Sequence, residues 1–230
     1  MSSPTPAHPT ATSSLSLTER RKAATRMEIA RAAAALFVKQ GLRATRAEDI
    51  AQAAGIAPRT FYRYFATKEE AVAPLYAAGA DRWTEAVRTA PPELPVPQAL
   101  EHAARHTLSP GAGVSAPSWQ WVRTLVRLAD SSPALRKVWA QVCHEAEVRL
   151  AEVLAGRTDD NVADTVPAPS PSLRFAAAVA AASVRVAVET WAADDAPAQG
   201  PMGPAALAMS NLAALSDFPW EDITARAHPA

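Results

Sequence analysis

From Thr45 to Lys68 the chain reads TRAEDIAQAAGIAPRTFYRYFATK, and these residues decide the fold. A helix-turn-helix needs a small residue where its helices cross, a Gly where the chain turns at positive φ, and apolar residues that lock the second helix onto the first. Ala51, Gly55, Ile56 and Phe61 supply these in order. With that face committed to a core, Pro58, Arg59, Thr60, Tyr62 and Arg63 are left facing outward near the start of the second helix, where side chains enter a major groove. They mix basic and hydrogen-bonding groups, as base-edge and phosphate readers do.

Working outward, start and stop signals mark helices on either side. A capping box of Ser16 and Glu19 opens a helix from about Leu17 to Gln40, with Ile29, Ala33, Leu36 and Phe37 along one face and Gly41 as its stop. Thr45 with Glu48 reads as a second capping box, opening a short helix that ends at Gly55. Pro58 starts a third helix, to about Phe65, and Thr67 with Glu70 opens a fourth, to about Arg88, kinked at Pro74. Beyond the Pro-rich break from Pro91 to Pro97, helices are predicted at 97–108, 117–130, 133–156, 171–194 and 204–217, separated by loops. No alternating period suggests a strand, so the expected fold is all-α, with about nine helices.

Composition agrees with that reading. The 230 residues are 49% hydrophobic and 20% charged, a globular balance with enough apolar material for a core. Formal net charge is zero, yet the charges are segregated. From Glu19 to Lys68 there are 11 basic and 4 acidic residues, a net of +7, so the rest of the chain carries −7. One end is suited to a polyanion. The first fifteen residues, rich in Ser, Thr and Pro, read as a disordered tail rather than a signal peptide. The apolar stretch from Phe175 to Val188 is too short to span a bilayer, so no membrane partner is expected. A single cysteine, Cys143, excludes an intrachain disulfide and fits a reducing cytoplasm.

The segment from Ile29 to about Val72 resembles the DNA-binding domain of the TetR family of transcriptional regulators. The resemblance rests on a concatenation: Ala33, Leu36, Phe37 and Gly41 in the first helix, then DIAQAAGI at 49–56, then FYRYFATKEE at 61–70. It implies that residues 58–64 form the recognition helix, that Tyr62 and Tyr64 touch the sugar-phosphate backbone, and that Lys68 meets a phosphate. The expected DNA-binding set is Thr45, Arg46, Pro58, Arg59, Thr60, Tyr62, Arg63, Tyr64 and Lys68. Two residues depart from the family's pattern: Ala57 stands where a Ser or Thr cap is usual, and Arg59 where a small residue is usual. Arg59 is thus a candidate reader of guanine.

The domains are read as a tail at 1–15, a helix-turn-helix domain at 16–67, an effector-binding and dimerisation domain at 68–220, and a tail at 221–230. Trp83, Trp119, Trp121 and Trp139 lie on three different helices that a bundle brings together, and aromatic-lined spaces between helices bind small molecules. With Arg123, Gln141 and Cys143 they are the candidate ligand residues, a core or surface role being the alternative for each. The Ala-rich helix from Ser172 to Trp191 is nearly apolar all round and must be covered on several sides. The family resemblance implies that the last two helices build a homodimer, with Phe175, Val179, Ala182, Val186, Leu207, Leu212 and Leu215 at the interface.

The sequence gives little support for catalysis. His102 and His106 share a helix face at i and i+4, and Cys143 adjoins His144, but no HExxH arrangement and no phosphate-cradling glycine loop exists. No metal or cofactor is implied. The expectation is a repressor released from a pseudo-palindromic operator in duplex DNA by an unknown small effector. A ligand-independent DNA-binding or assembly protein on the same fold is the alternative.

Overall fold

The computed structural model describes residues 16–111, 116–158 and 168–220, which form helices and no strand. The helices are α1 (Leu17–Gln40), α2 (Ala47–Ala53), α3 (Pro58–Tyr64), α4 (Ala73–Arg88), α5 (Val96–Leu108), α6 (Ala116–Ser131), α7 (Pro133–Thr158), α8 (Pro171–Ala193) and α9 (Pro204–Ala213). The all-α expectation holds; seven of these nine helices begin within a residue of a proline, and α1 follows the Ser16 cap. Both terminal tails, the tip of the loop after α5 and most of the α7–α8 loop lie outside the described residues.

The predicted caps are met at Ser16, whose Oγ accepts from the Glu19 N–H at 3.2 Å, and at Gly41, at φ 84°, whose N–H donates to Phe37 O. The second box is shifted by one residue. Arg46, not Thr45, is the N-cap of α2, and its N–H donates to the Asp49 carboxylate at 2.8 Å. Thr45 is buried instead, its hydroxyl donating to Gly41 O at 2.9 Å. The fourth helix also differs. Thr67 does cap, accepting from the Glu70 N–H, but residues Glu70–Val72 form a 3₁₀ turn and α4 proper starts at Ala73. Pro74 therefore sits in a first turn, where its missing N–H costs nothing, rather than at a kink. The last helix stops at Ala213, four residues short of the expected end, and gives way to turns.

Three apolar clusters hold the molecule together. One joins the inner faces of α1, α2 and α3 through Ile29, Phe37, Ile50 and Phe61 and continues without a break into Tyr76, Leu125, Leu135 and Val142 of α4, α6 and α7. A second joins α4, α5, α7, α8 and α9 around Leu100, Leu150, Leu154, Leu173 and Ala180. A third, smaller, pairs Trp119 and Val126 of α6 with Trp191 of α8. Fully burying a Leu, Ile or Phe side chain contributes about 1.5–3 kcal/mol, so the first cluster alone outweighs any cap.

Arginines close the helix ends. Arg157 of α7 donates to the carbonyls of Val87, Ala90, Pro91 and Leu94, fastening the α4–α5 connection. Arg127 of α6 does the same for the end of α8, donating to Ala192 O and Asp194 O and pairing with Asp195, whose carboxyl it holds below the ordinary range. The whole of α8, 23 residues, is long and apolar enough to cross a bilayer, unlike the shorter stretch read from sequence. Its Leu173, Ala176, Ala177, Ala180 and Ala187 are buried against neighbouring helices, as in the core of a globular bundle.

Candidate functional site

The head is built around Phe61, fully buried, with Phe65 behind it at 5.9 Å between ring centroids. Gly55 makes the turn at φ 68°, a conformation L side chains rarely adopt, and Ile56 N–H donates back to Ala51 O at 2.9 Å. α3 starts at Pro58 without a side-chain cap, since Ala57 has none to offer. Phe61 and Phe65 take the inner side, so Pro58, Arg59, Tyr62 and Arg63 stand exposed together, with Arg46 exposed at the start of α2. Thr60 and Tyr64 are half-buried, and the Tyr64 ring packs against the head's core. Arg26 of α1 donates to Tyr64 O at 3.0 Å and lies over the Phe65 ring, which fixes the end of α3.

Two residues expected at the DNA surface are elsewhere. Thr45 is fully buried, as described, and offers no hydroxyl outward. Lys68 points its ammonium inward, donating to Leu42 O at 2.7 Å and Thr45 O at 2.8 Å. Those carbonyls belong to the turn between α1 and α2, so Lys68 ties the start of the fourth-helix segment to the head. Tyr62 is also engaged, its hydroxyl donating to Glu48 at 3.3 Å; the negative charge of Glu48 is the main reason its pKa is raised.

In the larger domain a cavity of about 170 Å³ lies where the three apolar clusters meet. Its wall includes Tyr76 and Trp83 from α4, Trp119 and Val122 from α6, Trp139, Val142 and Cys143 from α7, and Val184 and Val188 from α8. Trp139, Cys143, Glu147 and Arg185 also line an adjoining, more open and polar cleft of about 860 Å³, and so form the partition between the two. Burial pushes the Cys143 thiol up to about 12. The Tyr76 hydroxyl, raised by burial, donates to Leu125 O at 2.8 Å.

Trp83, Trp119, Trp139 and Cys143 are thus brought together as expected, whereas three candidates are not. Trp121 is exposed, because two residues from Trp119 on a helix is nearly the opposite side. Gln141 is exposed for the same reason, relative to Cys143, and donates to Glu145. Arg123 is buried away from the cavity, over the Trp191 ring and donating to Ala196 O. Sequence reading missed Tyr76 and the Arg185–Glu189 pair. Tyr76 lies three residues before Gly79 and seven before Trp83, a helical spacing that could have flagged it.

The proposed dimer residues divide. On α8, Phe175 and Val186 are exposed, 59% and 43%, and Val179 and Ala182 between them are half-exposed. On α9, Leu212 is buried in the chain's own core and Leu207 packs against that core, as does Leu215 in the turns beyond the helix, so these three face inward. His102 and His106 stand exposed on α5 with parallel rings, and His144 is exposed beside Glu147, lining the open cleft that Cys143 also reaches.

A basic head of this geometry on a helical body that encloses an aromatic cavity defines a helix-turn-helix transcriptional regulator. Residues 29–73 match the model for bacterial regulatory proteins of the tetR family. The chain is 30% identical over 177 residues to the HTH-type transcriptional regulator TcmR of Streptomyces glaucescens, covering 76% of each chain. Over 50 residues, 22% of this chain and 25% of that protein, it is 50% identical to the HTH-type transcriptional repressor KstR2 of Mycobacterium tuberculosis. The fold is similar to that of FadR of Thermus thermophilus, a TetR-family transcriptional repressor solved in complex with lauroyl-CoA: TM-score 0.53, 24% identity, 83% of this chain and 92% of that one. The chain belongs to the TetR family and is a DNA-binding transcriptional regulator.

Proposed function

We propose that this regulator acts in the cytoplasm as a homodimeric repressor that leaves a pseudo-palindromic operator when a small molecule fills the cavity. The observation that carries this is the path of one segment. Lys68 grips the α1–α2 turn, and fifteen residues on, Trp83 of α4 walls the cavity, with Leu75, Tyr76, Gly79 and Ala80 between them. A ligand that displaces this wall bears directly on the angle of the head, and two heads must match two half-sites about one helical turn apart. Arg46, Arg59, Tyr62 and Arg63 make the DNA contacts in this reading, and the Phe175–Val186 line of α8 meets its own copy.

Genomic fragments selected by the protein supply the operator, and fluorescence anisotropy then reads affinity. The logarithm of affinity is expected to fall with the logarithm of salt at a slope of about −0.9 per phosphate contact, and a compound that raises the melting temperature is expected to release the fragment. Affinity flat in salt, or release by no compound that binds, overturns the reading.

A further inference from the structure

The donor inventory of the cavity carries an inference about what fills it. Among the described residues, the buried tryptophans outside its wall satisfy their indole N–H: Trp191 donates to Ala196 O and Pro197 O, and Trp220 to Leu215 O. Trp139, at the partition, donates to Glu189 at 2.6 Å. Trp83 and Trp119 do not. Both are at least 95% buried and both line the cavity; neither Nε1 has an acceptor, and each is covered, so the ring must turn for its N–H to meet an occupant. A buried donor without a partner is destabilising, and such groups in a native fold ask for an explanation.

The remaining polar groups of the wall narrow the choice. The Tyr76 and Thr107 hydroxyls are spent on Leu125 O and Ala103 O. Arg185 is paired with Glu189, and the thiol of Cys143 stays protonated. In the adjoining cleft Arg127 is paired with Asp195 and Arg136 with Asp130. Arg82, at the rim, is exposed and donates to Ala78 O of its own helix. No buried side-chain oxygen among the described residues lacks a partner. The buried part of the site therefore offers unmet donors, no unmet acceptor and no cation awaiting an anion; Glu147, the carboxylate of the wall, is part-exposed at the partition and lies 3.8 Å from His144 Nδ1.

We infer that the cavity takes an uncharged, compact ligand of one or two rings whose oxygen acceptors, of ketone, ester or lactone type, are met by the Trp83 and Trp119 indole N–H groups. The size follows from the volume, since a cavity of about 150 Å³ holds benzene. The flat shape suits walls of Tyr76, Trp83, Trp119 and Trp139. This inference rests on the effector reading above and assigns the chemical class that reading leaves open.

The test uses four probes of one size: 1-tetralone, tetralin, 1-aminotetralin and tetralin-1-carboxylate, titrated by calorimetry into the full chain without DNA. Tetralone is expected to bind at least about tenfold more tightly than tetralin, because tetralin leaves both donors unmet, and the two ions to bind more weakly still. Trp83→Phe and Trp119→Phe keep a ring and remove a donor. In the double variant, checked for an unchanged helical spectrum, the gap is expected to close to within about twofold while tetralin affinity persists; each single variant gives an intermediate gap should the double variant misfold. Equal binding of tetralone and tetralin, tighter binding of either ion, a gap that survives both substitutions, or no binding below millimolar overturns the assignment. Operator release is measured separately by anisotropy, so a tetralone that binds without releasing DNA sinks the gating and leaves the ligand class standing. Release by some other compound, with the panel failing, does the reverse.

Discussion

The head and the body of this molecule are made of the same kind of element and treat their polar groups in opposite ways. In the head, Thr45, Arg26 and Lys68 each find a backbone carbonyl, and Phe37, Ile50 and Phe61 are buried between three helices. In the body, two indole donors stand unmet beside a cavity of about 170 Å³. A reading head must present the same surface each time it meets DNA, so its groups are tied down; a sensor must gain something on binding, so its groups are left wanting.

The hardest test of that contrast removes the dimer and leaves the head intact. Val179→Glu places a carboxylate on the half-exposed line between Phe175 and Val186, close to its symmetry mate if α8 is the two-fold interface. Light scattering is expected to give a monomer and anisotropy an operator affinity lower by about 100-fold or more, as the second head's contribution is lost. A dimer of full affinity would place the interface elsewhere.

A smaller effect is expected from Lys68→Ala, which unties the head from the fourth-helix segment. Two charge-assisted bonds to Leu42 O and Thr45 O disappear, each contributing about 1.5–3 kcal/mol. Affinity is expected to drop about tenfold for all operator variants alike, and the fold of release by ligand to shrink. An unchanged release would separate Lys68 from the coupling path. Arg59→Ala sharpens the comparison from the other side. Arg59 is exposed and forms no ion pair among the described residues, so the variant is expected to keep its melting temperature and lose about 1–3 kcal/mol of discrimination between operator variants. A preserved ranking of variants would remove Arg59 from base reading.

How much of this was legible in sequence follows the same division. The head's motif is local: Ala51, Gly55, Ile56 and Phe61 lie within eleven residues, and their spacing fixes which side of α3 is left outside. What failed there failed on reach rather than on helix. Thr45 and Glu48 have the spacing of a capping box, but Asp49 stands equally well placed to take the Arg46 N–H, and the helix starts one residue later. Lys68 carries a charge in the sequence; that the α1–α2 turn offers it two carbonyls is a tertiary fact. In the body, the presence of aromatic helices was readable, but which aromatic residues meet depends on helix rotation. Trp119 and Trp139 line the cavity while Trp121 does not, and Leu212 turns inward where a bare apolar stripe allowed either direction.

Tyr76 belongs to both regions, a member of the head's apolar cluster and of the cavity wall, with its hydroxyl on Leu125 O. A fragment ending at Thr67 would therefore strip Ile29, Phe37 and Phe61 of the neighbours that complete their cluster, namely Val72, Tyr76, Leu125 and Leu135. The molecule is modular in its labour, and the shared cluster predicts that it is continuous in its unfolding: a single melting transition is expected, with no boundary between reading and sensing along which the chain melts in two.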